Sequence, residues 1–237
     1  GRPADHPLIV HVASMDALGD WADDVPGFAI SLARSFWPGP MTLIVHRSEL
    51  AGDFVTGGQN TVGIRVPNHP VALGLLEAFA RVGGKGVAAP SANRFGNVSP
   101  TTAQAVADEL SDYLSDSDQI LDGGPCEVGV ESTIIDCTGD IPRILRPGAI
   151  SDAMVAASTG LEIIRTYRFV YDSDAGISIV PPDHIRVSGS LENHYAPKAK
   201  VYLDKQPVAG QGLIAPADMP TPPGVIRLAA PKNNDEY

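Results

Sequence analysis

Residues 86–114, GVAAPSANRFGNVSPTTAQAVADELSDYL, pass from a short apolar run through a polar loop into a helical pattern. Val87, Ala88 and Ala89 read as a short buried strand that Pro90 stops. Ser99-Pro100 fits an N-cap followed by proline at the first helical position. Beyond it, Ala103, Val106, Ala107 and Leu110 fall on one helical face. Two clusters of small polar side chains, Ser91/Asn93 and Ser99/Thr101/Thr102, occupy the crossing. Free backbone N–H groups and the positive end of the helix dipole beside those hydroxyls favour phosphate. Taken alone, the stretch fits a capped helix after a polar loop better than a phosphate site.

The strand–loop–helix unit has counterparts on both sides. Apolar, β-branched runs predict strands at 8–12, 41–46, 62–66, 86–89, 119–121, 132–136, 143–145 and 162–165. Helical periodicity predicts helices at 27–35, 71–81, 102–114 and 152–158. Such alternation belongs to an α/β domain. Strand follows strand directly across 41–66 and 119–145, so the expected sheet is open, twisted and mixed, flanked by helices. Neither a G-x-G-x-x-G nor a G-x-x-x-x-G-K-[ST] stretch occurs. The expected domains are 1–166, a linker at 167–197 where the pattern turns polar, and the beginning of a smaller α/β domain at 198–237. In that last segment 199–203, 212–214 and 224–228 read as strands.

The chain has 237 residues, and its formal net charge of −11 argues against broad electrostatic binding to nucleic acid. No apolar run approaches the ~18 residues of a membrane span and no signal peptide is evident, so a cytoplasmic protein is expected. Cys126 and Cys137 lack metal-ligand spacing and read as structural or incidental thiols. The first residues, Gly1-Arg2-Pro3, lack an initiator Met, and the last, Asn233 to Tyr237, stop in a polar stretch. The reading expects a fragment.

Four polar constellations lie at strand edges: Arg2 with His6 and His11 around 8–12; Thr61 and Arg65, four apart on one strand face; the 88–102 stretch; and Glu131-Ser132 followed by Arg146-Pro147-Gly148. The segments GRPADHPLIVHV, SFWPGPMTLIV, TVGIRVPNHP, APSANRFGNVSPTT, VGVESTIID and ILRPGAI, in this order, resemble the YrdC-type threonylcarbamoyl-AMP synthases. The longer form, with a linker and an extra C-terminal domain, is the one resembled. His194-Tyr195-Ala196-Pro197 matches its linker.

The resemblance implies a YrdC-like fold and condensation of L-threonine, bicarbonate and ATP into threonylcarbamoyl-AMP and pyrophosphate. A separate transferase then modifies tRNA, and no membrane is involved. It assigns Arg2, His6, Thr61, Ser91, Asn93, Ser99 and Arg146 to ATP, and His11, Arg65, Ala89 and Ser132 to L-threonine. A forked guanidinium suits the threonine carboxylate at Arg65. No covalent nucleophile is expected, because the carboxylated threonine amine itself attacks the α-phosphate. Mg²⁺ is expected on the phosphates, without a dedicated protein site. His6 and His11 read alternatively as capping or core histidines. Glu131 is left with three roles: ordering the Ser132 loop, contacting a metal, or satisfying a backbone N–H. His194 and Tyr195 serve either as a lid over the site or as a simple anchor.

The family's Lys two residues before Arg2, and an upstream strand–helix segment, are absent, which is expected to weaken binding and folding. Two rivals remain. A hydrogenase-maturation protein would add zinc-finger and acylphosphatase-like segments, which these residues do not contain. A non-catalytic double-stranded RNA- or nucleotide-binding YrdC-like protein is disfavoured by the negative charge.

Overall fold

The computed structural model describes residues 3, 5–165, 168–172, 176–180, 185–188, 200–202 and 204–232. It divides into two units, Gly1–Lys198 and Ala199–Tyr237.

The MTLIVH run forms β2 (Met41–His46), where Met41, Leu43 and Val45 are wholly buried. A strand so continuously apolar needs cover on both faces and therefore belongs mid-sheet. Its neighbours are β3 (Thr61–Arg65), antiparallel, and β5 (Thr133–Asp136), parallel. Outward lie β1 (Ile9–His11) and β4 (Val87–Ala89) on one side. On the other are β6 (Arg143–Arg146) and β7 (Ile164–Arg165). Among the described residues the sheet has seven strands in the order β4-β1-β3-β2-β5-β6-β7. Three pairings are parallel and three antiparallel, which is the mixed α/β sheet expected from strand following strand.

One sheet face carries the main core. Val10, Leu43, Val45, Ile64, Ile135 and Ile144 meet Ala29, Leu32 and Ala33 of α2 (Gly27–Phe36) and Val155 of α6 (Asp152–Thr159). The two helices also meet through the Ser35 and Ser158 hydroxyls, 2.8 Å apart. Among the described residues the other face is only partly covered. A second cluster there joins Ile44, Ile134 and Leu145 to Val187, with Ile9 and Ile185 against it. Gly63 lies in this face, where a Cβ would stand 3.1 Å from Ile44 Cδ1.

Several expectations need correction. The 86–89 strand is not buried: β4 is an edge strand, and Val87 is 36% exposed because only β1 pairs with it. The N-cap after it is Thr102, whose hydroxyl accepts from Ala105 N at 3.1 Å, not Ser99. The helix is shorter than 102–114. It runs over α5 (Ala103–Leu110) and tightens into a 3₁₀ turn, Ser111–Tyr113. Residues 119–121 form no strand; Leu121 is 57% exposed and no neighbour offers a ladder. Residues 200–202 are likewise not strand.

Short helices α1 (Leu18–Trp21) and α3 (Asp53–Thr56) carry too few residues to show a period. α4 (Pro70–Arg81) buries Leu76 but exposes Val71, Leu75 and Phe79. Inside the stretch read as a polar linker, β8 (Arg168–Asp172) and β9 (Gly176–Val180) pair antiparallel. In the second unit β10 (Gly212–Ile214) pairs in parallel with β11 (Ile226–Ala229). Arg227 Nη1 and Nη2 donate there to the Met219 and Ala215 carbonyls.

Leu43→Ala should cost about 3 kcal/mol in urea-induced unfolding, as for a fully buried leucine whose cavity cannot collapse. Leu121→Ser should stay within about 0.5 kcal/mol, since its side chain is already in water.

Candidate active site

The sheet topology gathers charge at one end. In the parallel β1/β3 pair His11 stands beside Arg65, and β4 brings Val87 to His11 from the other side. Both strands end there, while β2 and β5 begin there, with Met41 opposite Thr133. The polar side chains at this edge therefore come from residues more than 130 positions apart.

Arg146 is the anchor. The β5–β6 register shifts between Ile134 and Ile135, so one residue is extra in β6. A bulge of this kind turns two successive side chains toward one face. Leu145 joins the second apolar cluster, and the neighbouring Arg146 guanidinium reaches back to Ser132. Its Nε and Nη2 donate to the Ser132 carbonyl at 3.0 and 2.8 Å, and Nη2 to Ser132 Oγ at 2.9 Å. Nη1 donates to the Ser188 carbonyl at 2.8 Å. Ser132 Oγ in turn lies 2.8 Å from Thr42 Oγ1, and all three side chains are buried.

Arg65 donates from Nε to the Gly39 carbonyl at 3.1 Å. Burial, and then the nearby positive charge of Arg146, lower its pKa, while Glu131 and Cys126 act the other way. A guanidinium stays protonated regardless. The two guanidiniums are therefore close enough for Arg146 to disfavour the charge of Arg65. Burial, followed by Arg65, also lowers the pKa of His11 to about 4. His11 is thus neutral near pH 7, and its Nδ1 is buried without a hydrogen-bond partner.

The 88–102 loop closes the edge. Ser99 Oγ donates to Glu131 Oε1 at 2.7 Å, and Glu131 Oε2 lies 3.6 Å from Arg146 Nη2. Asn93 is buried and supports the loop, donating to the carbonyls of Arg94 and Asn97 at 2.8 Å each. His6 packs edge-on against Phe95 at 5.9 Å, which ties the N-terminal segment to this loop. Ala89 ends β4 opposite Ile9, and Ser91 follows it, half-buried.

Among the expected site residues, His11, Arg65, Ser99, Ser132 and Arg146 thus converge. Thr61 shares a sheet face with Arg65 but lies roughly 13 Å away at the other end of β3. It lines a small cleft with Gln59, Gly63, Arg186, Val187 and Ser188. Arg2, His194 and Tyr195 lie outside the described residues. Glu131 joins the 88–102 loop to β6 through Ser99 and Arg146, a contact outside its three readings. Among the described residues no three or more His, Cys, Asp or Glu side chains converge as a metal cage. Cys137 is buried beside Asp136, both of which push its thiol pKa well up, so it is inert.

Three contributors were missed. Gly39 supplies the carbonyl for Arg65, and a Cβ there would strike the Phe36 carbonyl at 2.1 Å. Thr42 holds Ser132, and Gly148 lets β6 run against Glu131, since its Cβ would lie 2.5 Å from the Glu131 carbonyl. All three sit in segments already singled out by motif, but only as part of a pattern. Residues 185–188 belong to the expected linker, 167–197. They dock here through Val187, through Ser188 Oγ to the Pro7 carbonyl at 3.0 Å, and through paired Gln59–Arg186 hydrogen bonds.

The family model Sua5/YciO/YrdC, described as "Telomere recombination", matches residues 1–148. A protein of Pyrococcus abyssi named threonylcarbamoyl-AMP synthase is 42% identical over 207 residues, covering 87% of this chain and 56% of that protein. One of the same name from Bacillus subtilis is 45% identical over 204 residues, covering 86% and 54%. A crystal structure of P. abyssi Sua5 complexed with L-threonine superposes with a TM-score of 0.70 at 39% identity, over 84% of this chain and 54% of that one. The chain spans little more than half the length of these relatives.

The His11 geometry has a consequence for stability. Below pH 6.5 the unfolded chain takes up a proton that folded His11 refuses until about pH 4. Its contribution is therefore present above pH 6.5 and is lost as pH falls toward 4, about 3 kcal/mol in all. In chemical unfolding across this range, His11→Gln should show a correspondingly shallower loss than the parent chain.

Proposed function

Because the chain belongs to the Sua5/YciO/YrdC family, we propose that it carries the substrate-binding core of a threonylcarbamoyl-AMP synthase. The observation that carries this reading is the pair of anchored guanidiniums at one sheet end, Arg65 held by the Gly39 carbonyl and Arg146 by Ser132, beside the buried hydroxyls of Thr42 and Ser132. Two forked cations in one site suit a ligand set with two anionic groups, a carboxylate and a polyphosphate. The names of the relatives, and the threonine bound to the P. abyssi structure, supply the chemical class.

In this reading Arg65 takes the threonine carboxylate, with the backbone at Ala89 and the Ser132 hydroxyl close by. His11 presents a neutral ring, which suits the threonine hydroxyl or amine and adds no third positive charge. Arg146, Ser99, Ser91 and His6 attend the phosphates with Arg2, Asn93 orders their loop, and Thr61 lines the far end of the cleft. The threonine amine and bicarbonate form a carbamate with loss of water. A carbamate oxygen then attacks the α-phosphorus of ATP, the α–β bond breaks, and pyrophosphate leaves with the bonding pair. The protein contributes placement and charge neutralisation. The donors gathered here are guanidiniums and hydroxyls, which do not make a metal cage. Mg²⁺ belongs to the substrate, carried by the ATP phosphates and water.

The proposed division is a catalytic domain over 1–166, a lid over 167–197 and a separate C-terminal unit over 198–237. The docking of residues 185–188 beside Arg146 supports a strap across the sheet face. The product would pass to a transferase acting on tRNA, and a cytoplasmic location fits that role. No helix among the described residues is long and apolar enough to cross a membrane.

The test is L-threonine-dependent pyrophosphate release from ATP in bicarbonate buffer, with threonine affinity measured separately. Arg65→Ala should weaken threonine binding on the order of a hundredfold, the loss expected when a charge-assisted pair is removed from a buried site. Unchanged threonine affinity in that variant would place the carboxylate elsewhere. Absence of threonine-dependent release from the folded, threonine-binding protein would overturn the activity.

A further inference from the structure

Glu131 has no part in the chemistry proposed above, yet it sits among the groups assigned to phosphate. One carboxylate oxygen accepts from the Ser99 hydroxyl at 2.7 Å, and the other lies 3.6 Å from Arg146 Nη2. A phosphate bridging the same loop and the same strand would present two oxygens to the same two groups. Its side chain is 32% exposed, whereas that of Arg146 is 7% exposed and held by three backbone and hydroxyl acceptors. The carboxylate can therefore swing into water while the guanidinium stays. Its main chain cannot follow, because Gly148 already packs against the Glu131 carbonyl.

The electrostatics favour an anion at this position when no ligand is bound. Burial and Arg146 disfavour the charge of Arg65, and Glu131 is the first of the groups that offset this. A site built of two unneutralised buried cations would lose stability without a counter-charge.

We propose that the Glu131 carboxylate occupies the phosphate subsite of the ligand-free chain as an internal anion, which an incoming phosphate displaces from Ser99 and Arg146. This rests on reading Ser99 and Arg146 as phosphate contacts. Displacement couples two events. Phosphate arrival frees Ser99 from β5's leading edge, and the charge that held the two arginines together is replaced by the ligand's own. The cost of the exchange lowers affinity for any phosphate ligand that neutralises the site less well than the carboxylate does. The device therefore discriminates against monoanions in favour of polyphosphates.

The experiment is calorimetric titration of inorganic pyrophosphate into the 237-residue chain, with Glu131→Gln, Glu131→Ala and Arg146→Met variants, each checked by thermal unfolding. Both Glu131 variants should bind pyrophosphate five- to tenfold more tightly than the parent while unfolding at a lower temperature, and Arg146→Met should bind at least tenfold more weakly. A merely structural role for Glu131 predicts the opposite sign for affinity. Equal or weaker pyrophosphate binding in the folded Glu131 variants, with Arg146→Met still impaired, overturns the internal-anion proposal alone. Parent-like binding by folded Arg146→Met overturns the phosphate reading of this end of the sheet, and the proposal with it.

Discussion

Two guanidinium groups held at one end of a sheet, against their mutual repulsion, set the terms for everything around them. Neither is placed by a flexible side chain alone. Arg146 is locked to the Ser132 carbonyl and hydroxyl and to the Ser188 carbonyl, and Arg65 to the Gly39 carbonyl. Carbonyl oxygens are well suited to this task, because they satisfy the donors without neutralising the charge. The positive potential is then left for a ligand, with Glu131 as the carboxylate beside it among the described residues. A chain of net charge −11 thereby keeps a local cationic site, which global composition does not disclose.

The main core explains why that site can be rigid. Central strands β2, β3 and β5 are clamped on one face by α2 and α6, with Leu43, Ile64 and Ile135 wholly buried. Among the described residues their opposite face is covered by a few aliphatic side chains and the Val187 segment. The division of labour between the two faces follows from strand alternation, apolar residues toward the helices and Thr42, Gly63 and Arg65 toward the open side. The β6 bulge is the one departure from alternation, and it is what allows Leu145 to support the apolar cluster while Arg146 serves the polar edge.

His11 shows how placement governs chemistry. In sequence it is a histidine after an apolar run, equally good as a cap, a core residue or a ligand. Beside Arg65 and buried, it is held neutral near pH 7. That rules out a role as a cation without changing the residue, and the proposed contact with threonine follows from the neutral ring.

Local pattern was enough for the α/β class, the mixed sheet and most elements, because apolar periodicity and β-branched runs such as MTLIVH act over a few residues. It was also enough to single out Arg65, Ser99, Ser132 and Arg146 as members of motifs. It failed where the deciding partner is distant. The 119–121 run has strand composition but no ladder to join, and the buried look of Val87 to Ala89 did not reveal a sheet edge. Ser99 satisfied every local rule for an N-cap, yet a carboxylate 32 residues away claims its hydroxyl, and Thr102 caps the helix instead. Amino-acid order by itself determined which elements form and which side chains are chemically equipped. Only the tertiary structure decided which of them meet, because register, a bulge and the crossing of parallel strands bring Arg65, Glu131 and Arg146 to one edge, and through-space charge depends on that distance alone.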